Sequence, residues 1–262
     1  RYRMLRARIV TAVLGIPLIG ICVYFGGVWL KTLIVVAVIL GLIEYSRFLG
    51  RNAMPDYLFS AGLSFVFVSY GKLSGTDLMI WLFAQVFYFL VRTTLTTQKP
   101  IAAAENMLGV FYVAVPFSFI WLLRTDFGLG WVVYGLVVTW VTDTAAYFFG
   151  MRFGKTKLAP TISPKKSVEG AVAGGIAGTV FGGGVALWLG VSPWLAFPMS
   201  LILSAAGQMG DLSESALKRE KSVKDSGSIL PGHGGILDRF DSLAFILPLL
   251  YIILTHVSSP GL

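Results

Sequence analysis

Trp29-Leu30-Lys31-Thr32-Leu33-Ile34-Val35-Val36-Ala37-Val38-Ile39-Leu40-Gly41-Leu42-Ile43-Glu44-Tyr45-Ser46-Arg47 carries no charge between Lys31 and Glu44. As a helix rising about 1.5 Å per residue, such a run matches the roughly 30 Å hydrocarbon core of a bilayer. In lipid the backbone N–H and C=O groups must be satisfied within the segment, so the run is helical or belongs to a closed barrel. The apolar/polar alternation of a barrel strand is absent here and elsewhere in the chain.

Runs of the same kind recur on both sides. They predict spans near 9–25, 29–47, 57–71, 76–94, 104–124, 129–150, 169–190, 193–211 and 240–257. The expected class is therefore all-α, a polytopic integral membrane protein with about nine transmembrane helices. Bulk composition agrees, with 56% hydrophobic and 13% charged residues among 262, where soluble domains carry about 25% charged. The N-terminal Arg1–Arg8 cluster followed by an apolar run reads as a retained first span, because no small-x-small cleavage site follows Gly26-Gly27. The lone Cys22 allows no intrachain disulfide and reads as an apolar filler.

Charge placement orients the spans. Of the 21 Lys and Arg, only Lys31, Lys72 and Arg124 fall on one side and all the others on the opposite side. By the positive-inside rule the N-terminus is cytoplasmic and the C-terminus outside. The net charge of +8 follows from this bias and from anionic headgroups, with no nucleic acid required. Residues 1–125 read as a transmembrane scaffold. Residues 126–262 read as a catalytic half with cytoplasmic loops 151–168 and 212–239.

The acidic residues point to the same half. Eight of the thirteen lie from Asp143 onward. The densest stretch runs from Ser215 to Asp241 and has three parts. Lys218, Arg219, Lys221 and Lys224 suit several phosphate charges. Pro231-Gly232-His233-Gly234-Gly235 is a turn whose backbone can approach a ligand closely. Asp238 and Asp241 then lie three apart at the start of the last span, with Asp211 ending the preceding one. Three carboxylates beside cations suggest a hard metal ion completed by phosphate oxygens. A solvated positive-inside loop would account for the charges, but not for a glycine-histidine turn leading into an aspartate pair.

This stretch resembles the signature of phosphatidate cytidylyltransferases: Ser-x-apolar-Lys-Arg, four residues, Lys-Asp, a His-Gly-Gly turn and an Asp-Arg-apolar-Asp ending. Two upstream elements are similar to the family as well. Asp143-Thr144-Ala145-Ala146-Tyr147, with Thr139 a turn earlier, puts an ionisable residue and a polar stripe on the sixth span, a functional candidate by default. A structural Asp bonded to a neighbouring helix is the alternative. Ser163-Pro164-Lys165-Lys166-Ser167-Val168-Glu169-Gly170 brings two lysines to a helix N-terminus, where free amides favour anions.

The resemblance implies transfer of the CMP moiety of CTP to phosphatidic acid, giving CDP-diacylglycerol and pyrophosphate. It implies Mg2+ on Asp211, Asp238 and Asp241, with room for a second, monovalent cation such as K+. Lys165, Lys166, Lys218, Arg219 and Lys224 would hold phosphates, and Pro231–Gly235 would shape the nucleotide pocket. Asp143, Ser163, His233, Gly234, Gly235 and Arg239 join the substrate-binding set, and Lys224 and Asp225 the catalytic one. The enzyme would sit in the cytoplasmic membrane with its site facing the cytoplasm. A CTP-dependent polyprenol or dolichol kinase, with Asp225 as base, and a transporter for an anionic metabolite are the rival readings.

Three features read as structural. Glu44 beside Arg47 fits an ion pair snorkelling to the membrane surface. Gly170, Gly174, Gly178 and Gly182 form a close-packing stripe for a neighbouring helix or for a homodimer partner. His256 fits an interfacial position.

Overall fold

The computed structural model describes residues 13, 15, 17–50, 60, 75–96, 101–223, 226–227 and 234–257. These are almost entirely helical. Helix α1 spans Gly27–Phe48, α2 Gly75–Leu95 and α3 Ile101–Leu122. A π-helical turn, Leu123–Phe127, prolongs α3 until Gly128 stops it. Gly128 has a φ of 95°, open to glycine at no steric cost, and α4 starts at once over Leu129–Phe153. A short antiparallel hairpin follows, β1 Lys157–Ala159 against β2 Ser163–Ser167. Then come α5 Val168–Trp188, α6 Pro193–Glu220, α7 Leu237–Phe240 and α8 Leu243–Val257.

Four helical segments are long and apolar enough to cross a membrane: Gly27–Phe48, Ile101–Phe127, Leu129–Phe153 and Val168–Trp188. Met79–Leu95 and Leu243–Val257 are shorter apolar helices. Large apolar side chains such as Trp140, Ile176 and Phe181 are more than half exposed, as befits a surface solvated by lipid rather than water. The chain is thus a mostly helical protein with membrane-spanning helices. The expected runs 29–47, 76–94, 104–124, 129–150 and 169–190 each coincide with a helix. The expected 57–71 lies outside the described residues apart from Ser60.

Two of the segments expected as loops carry regular structure. The segment expected as loop 212–239 begins as helix, because α6 continues to Glu220. Leu212, Ala216 and Leu217 are strong helix formers, and Glu214 pairs with Lys218 one turn on. The segment 151–168 is structured as well. After α4 ends at Phe153 it folds as the hairpin, and Glu169 accepts the backbone N–H of Lys155 (3.1 Å) and of Thr156 (3.0 Å).

The described residues fall into two compact units, one within Arg1–Ser118 and Asp225–Leu237, the other within Phe119–Lys224 and Asp238–Leu262. In the first, α1 and α3 pack closely at Gly109, where a Cβ would stand 2.5 Å from the Tyr45 ring. The Tyr45 hydroxyl donates to the Glu105 carbonyl at 3.2 Å.

In the second unit the glycine stripe of α5 is the seam. A Cβ on Gly170 would lie 2.6 Å from the Ala146 carbonyl, on Gly174 2.8 Å from the Thr142 carbonyl, and on Gly182 2.7 Å from Val138. Gly178 and Gly182 also meet Ser204 and Ser200 of α6. The stripe is therefore taken up by α4 and α6 of the same chain. Polar pairs tie the helices where they touch, with Thr142 to Ser204 and Tyr134 to Ser200 both at 2.8 Å.

Candidate active site

The second unit gathers its polar groups around the C-terminal half of α6. Asp211, Glu214 and Lys218 stand at i, i+3 and i+7, the spacing of one helical face. Gly207 and Gly210 of α6 let the start of α8 lie against that face. A Cβ there would meet Ile246 at 2.7 Å and the Asp241 carbonyl at 2.5 Å. Close approach at this point brings Asp241, in the turn ahead of α8, within electrostatic reach of Asp211 and Glu214.

Two lysines hold the carboxylates. Lys166 Nζ, from β2, lies 2.6 Å from Asp211 Oδ2. Lys218 Nζ donates to Glu214 Oε2 and, at 2.8 Å, to Asp238 Oδ1 on α7. Lys218 and Glu214 are both largely enclosed. Burial raises the Glu214 carboxyl to about 7; Lys218 opposes the rise, while Asp238 and Asp211 add to it. Burial alone would lower Lys218, but Glu214 and Asp238 more than reverse it and leave its ammonium stabilised. The Ser242 N–H donates to Asp241 Oδ1 at 2.7 Å. Asp143 of α4 is near enough for Asp211 and Lys166 to act on it.

Five carboxylates thus share their surroundings with two ammonium groups. The excess negative charge and the all-oxygen donor set fit a hard divalent cation such as Mg2+. Asp211, Glu214 and Asp238 face the lysines. Among the described residues no group of three His, Cys, Asp or Glu side chains is drawn together closely enough to hold a metal ion as it stands.

Other expected residues are spread more widely. Arg219 is exposed at the end of α6, with its Nε donating to the Ile162 carbonyl at 3.1 Å. This ties the hairpin turn to the helix that carries Asp211. Ser163 begins β2 opposite Ala159. Lys165 and Arg239 are exposed. Ser167 caps α5 by accepting the Gly170 N–H at 3.2 Å, so that N-terminus already has one amide satisfied. Lys224, Asp225 and His233 lie outside the described residues. Gly234 has a φ of 88°, a left-handed conformation that suits glycine in the expected turn.

Two residues escaped the sequence reading. Glu214 is not among the expected site residues, though its spacing of three from Asp211 and four from Lys218 marks it. Glu44, expected to snorkel beside Arg47, is instead wholly buried in the first unit. It accepts the Leu237 N–H at 3.1 Å across 193 residues of chain, a contact that no local spacing announces.

The family model for the cytidylyltransferase family matches residues 6–257, nearly the whole chain. The chain belongs to the cytidylyltransferase family. A phosphatidate cytidylyltransferase of Staphylococcus haemolyticus (strain JCSC1435) is 37% identical over 264 residues, covering 97% of this chain and 100% of the relative. One of Staphylococcus aureus (strain COL) is 36% identical over 261 residues, covering 95% and 99%. One of Staphylococcus saprophyticus is 46% identical over 157 residues, 59% of this chain and 60% of its own. As a cytidylyltransferase, the chain needs a place for a nucleoside triphosphate, and the lysine-carboxylate cluster has suitable chemistry.

Proposed function

We propose that this membrane cytidylyltransferase is a phosphatidate cytidylyltransferase of phospholipid biosynthesis. It transfers the CMP moiety of CTP to phosphatidic acid, forming CDP-diacylglycerol and pyrophosphate. The observation that carries this reading is full-length similarity to enzymes of that name. The Asp211, Asp238, Asp241 and Lys166, Lys218 cluster supports it.

A phosphate oxygen of phosphatidic acid attacks the α-phosphorus of CTP, and the bond from that phosphorus to the bridging oxygen of the β-phosphate breaks. The nucleophile is already anionic, so no strong base is needed. Bringing anions together is the difficulty. Lys165, Lys166, Lys218, Arg219 and Lys224 are the groups proposed to hold phosphates, with Asp143, Ser163, Arg239 and the His233-Gly234-Gly235 turn lining the substrates. Asp211, Asp238 and Asp241 would hold Mg2+, with Glu214 beside them. A second cation such as K+ would draw on the same carboxylates. When bound, the divalent ion supplies charge neutralisation at the phosphates. Lys166 and Lys218, paired here with Asp211 and Asp238, would be the cations that meet phosphate oxygens.

The acceptor is directly testable. Purified protein in detergent is given CTP and Mg2+ with phosphatidic acid, diacylglycerol and a polyprenol together. The expected products are CDP-diacylglycerol and stoichiometric pyrophosphate. CDP with a newly phosphorylated alcohol would identify a kinase instead, with Asp225 as its base. Uptake of an anionic metabolite into vesicles with neither product would identify a transporter.

The proposed topology has nine spans in the cytoplasmic membrane, the N-terminus inside, the C-terminus outside and the site of residues 126–262 facing the cytoplasm. Lys157 and Glu220 are exposed, and the native Cys22 is buried. Lys157→Cys and Glu220→Cys are expected to react with an impermeant thiol reagent only after the cells are opened. Labelling of either in intact cells would invert the orientation. The second substrate reaches this face from the bilayer and CTP from the cytosol. A homodimer remains part of the proposal, but it must use apolar faces other than the glycine stripe, which α4 and α6 occupy.

A further inference from the structure

The first unit contains a carboxylate that the reaction does not call for. Glu44 sits near the end of α1 and is completely buried, in a chain with few acidic residues. Burying a carboxylate is costly unless it does something specific there. Its surroundings show a purpose. Glu44 Oε2 accepts the backbone N–H of Leu237 at 3.1 Å. Gly227 and Gly235 both press against the same side chain. A Cβ on Gly227 would stand 2.7 Å from Oε1, 2.8 Å from Cδ and 2.9 Å from Cγ, and one on Gly235 would stand 2.5 Å from Oε2. Ser226 is buried at the same place.

Residues on both sides of 228–233 therefore converge on one side chain from α1. Glycine at 227 is required by the carboxylate, and glycine at 235 by the carboxylate together with the Ser226 hydroxyl. Leu237, whose amide Glu44 holds, directly precedes Asp238 in the chain. We infer that Glu44 is a positioning residue for the nucleotide turn, fixing the backbone at Gly227, Gly235 and Leu237 from within the scaffold. This rests on the proposed function, in which the turn binds CTP.

The test uses the full chain in detergent with CTP, phosphatidic acid and Mg2+. A buried hydrogen bond to a charged group contributes about 10- to 100-fold in an equilibrium. Glu44→Ala is accordingly expected to raise KM for CTP at least about tenfold while leaving KM for phosphatidic acid nearly unchanged. Glu44→Gln keeps an acceptor oxygen for the Leu237 amide and is expected to recover most of the loss. Gly227→Ala should raise KM for CTP in the parent protein and add little in the Glu44→Ala background, because the obstructing carboxylate is gone.

The same cycle is read without substrate as the rate of limited proteolysis within 225–237, where Glu44→Ala and Gly227→Ala should each accelerate cleavage non-additively. A lower thermal midpoint with KM for CTP unchanged, or a Gly227→Ala effect that is equal in both backgrounds, would overturn the role of Glu44. Failure of the parent protein to make CDP-diacylglycerol would overturn the reaction assigned to it, and the proteolysis cycle would still decide the role of Glu44.

Discussion

Asp238→Asn is expected to reduce turnover by about 10²- to 10³-fold, the scale on which removing one preorganised electrostatic group acts. Asparagine preserves the volume and removes the charge. Lys218 would keep Glu214 as its partner, so α6 and α7 should fold as before. The change therefore separates chemistry from stability. The measurement is pyrophosphate release under saturating CTP and phosphatidic acid, with thermal unfolding followed in parallel. Raising Mg2+ is expected to rescue little, because the lost ligand charge is not restored by mass action. Near-normal turnover would remove Asp238 from the proposed metal set and leave it a structural partner of Lys218.

Gly178→Leu is expected to be the most damaging change to the fold. A Cβ at 178 already lies 2.7 Å from Ser204 Oγ and 3.0 Å from Ser204 Cβ, and it also meets Thr142 Oγ1. The remaining leucine atoms would force α5 away from both α4 and α6 and break the 2.8 Å bond from Thr142 to Ser204. Overpacking of this kind typically costs about 1–3 kcal/mol, a large fraction of the net stability of a fold. Gly184→Leu is the control, since its Cβ would meet nothing within 4 Å. Yield and thermal midpoint in detergent should fall for the first and hold for the second. If Gly178→Leu unfolded no more readily than Gly184→Leu, the seam would not depend on that glycine.

Much of the helical layout was legible because long apolar runs have few alternatives in lipid. Runs such as 129–150 and 169–190 match helices closely for that reason. The family was legible because the signature from Ser215 to Asp241 combines many residues at fixed spacing. Less was legible where charge patterns allow two conformations. The 212–220 stretch is rich in charge and reads as loop, yet Glu214 and Lys218 make it one more pair of turns of α6. Spacing alone leaves the lysines open to phosphates, and three-dimensional packing gives Lys166 and Lys218 to carboxylates. Glu44 was the hardest case, because its partner lies 193 residues away and the nearby Arg47 offered a plausible local one.

The continuation of α6 past its apolar part has a consequence for length. Asp211, Glu214 and Lys218 lie on one unbroken stretch of helix, about 10 Å from first to last at 1.5 Å per residue. Helical geometry, not loop conformation, sets their separations, so this segment behaves as a ruler. Adding or deleting one residue within it would swing Lys218 about 100° around the axis, away from Asp238 and out of register with Lys166 on the hairpin. Between 211 and 218 the chain can change its letters far more readily than its count.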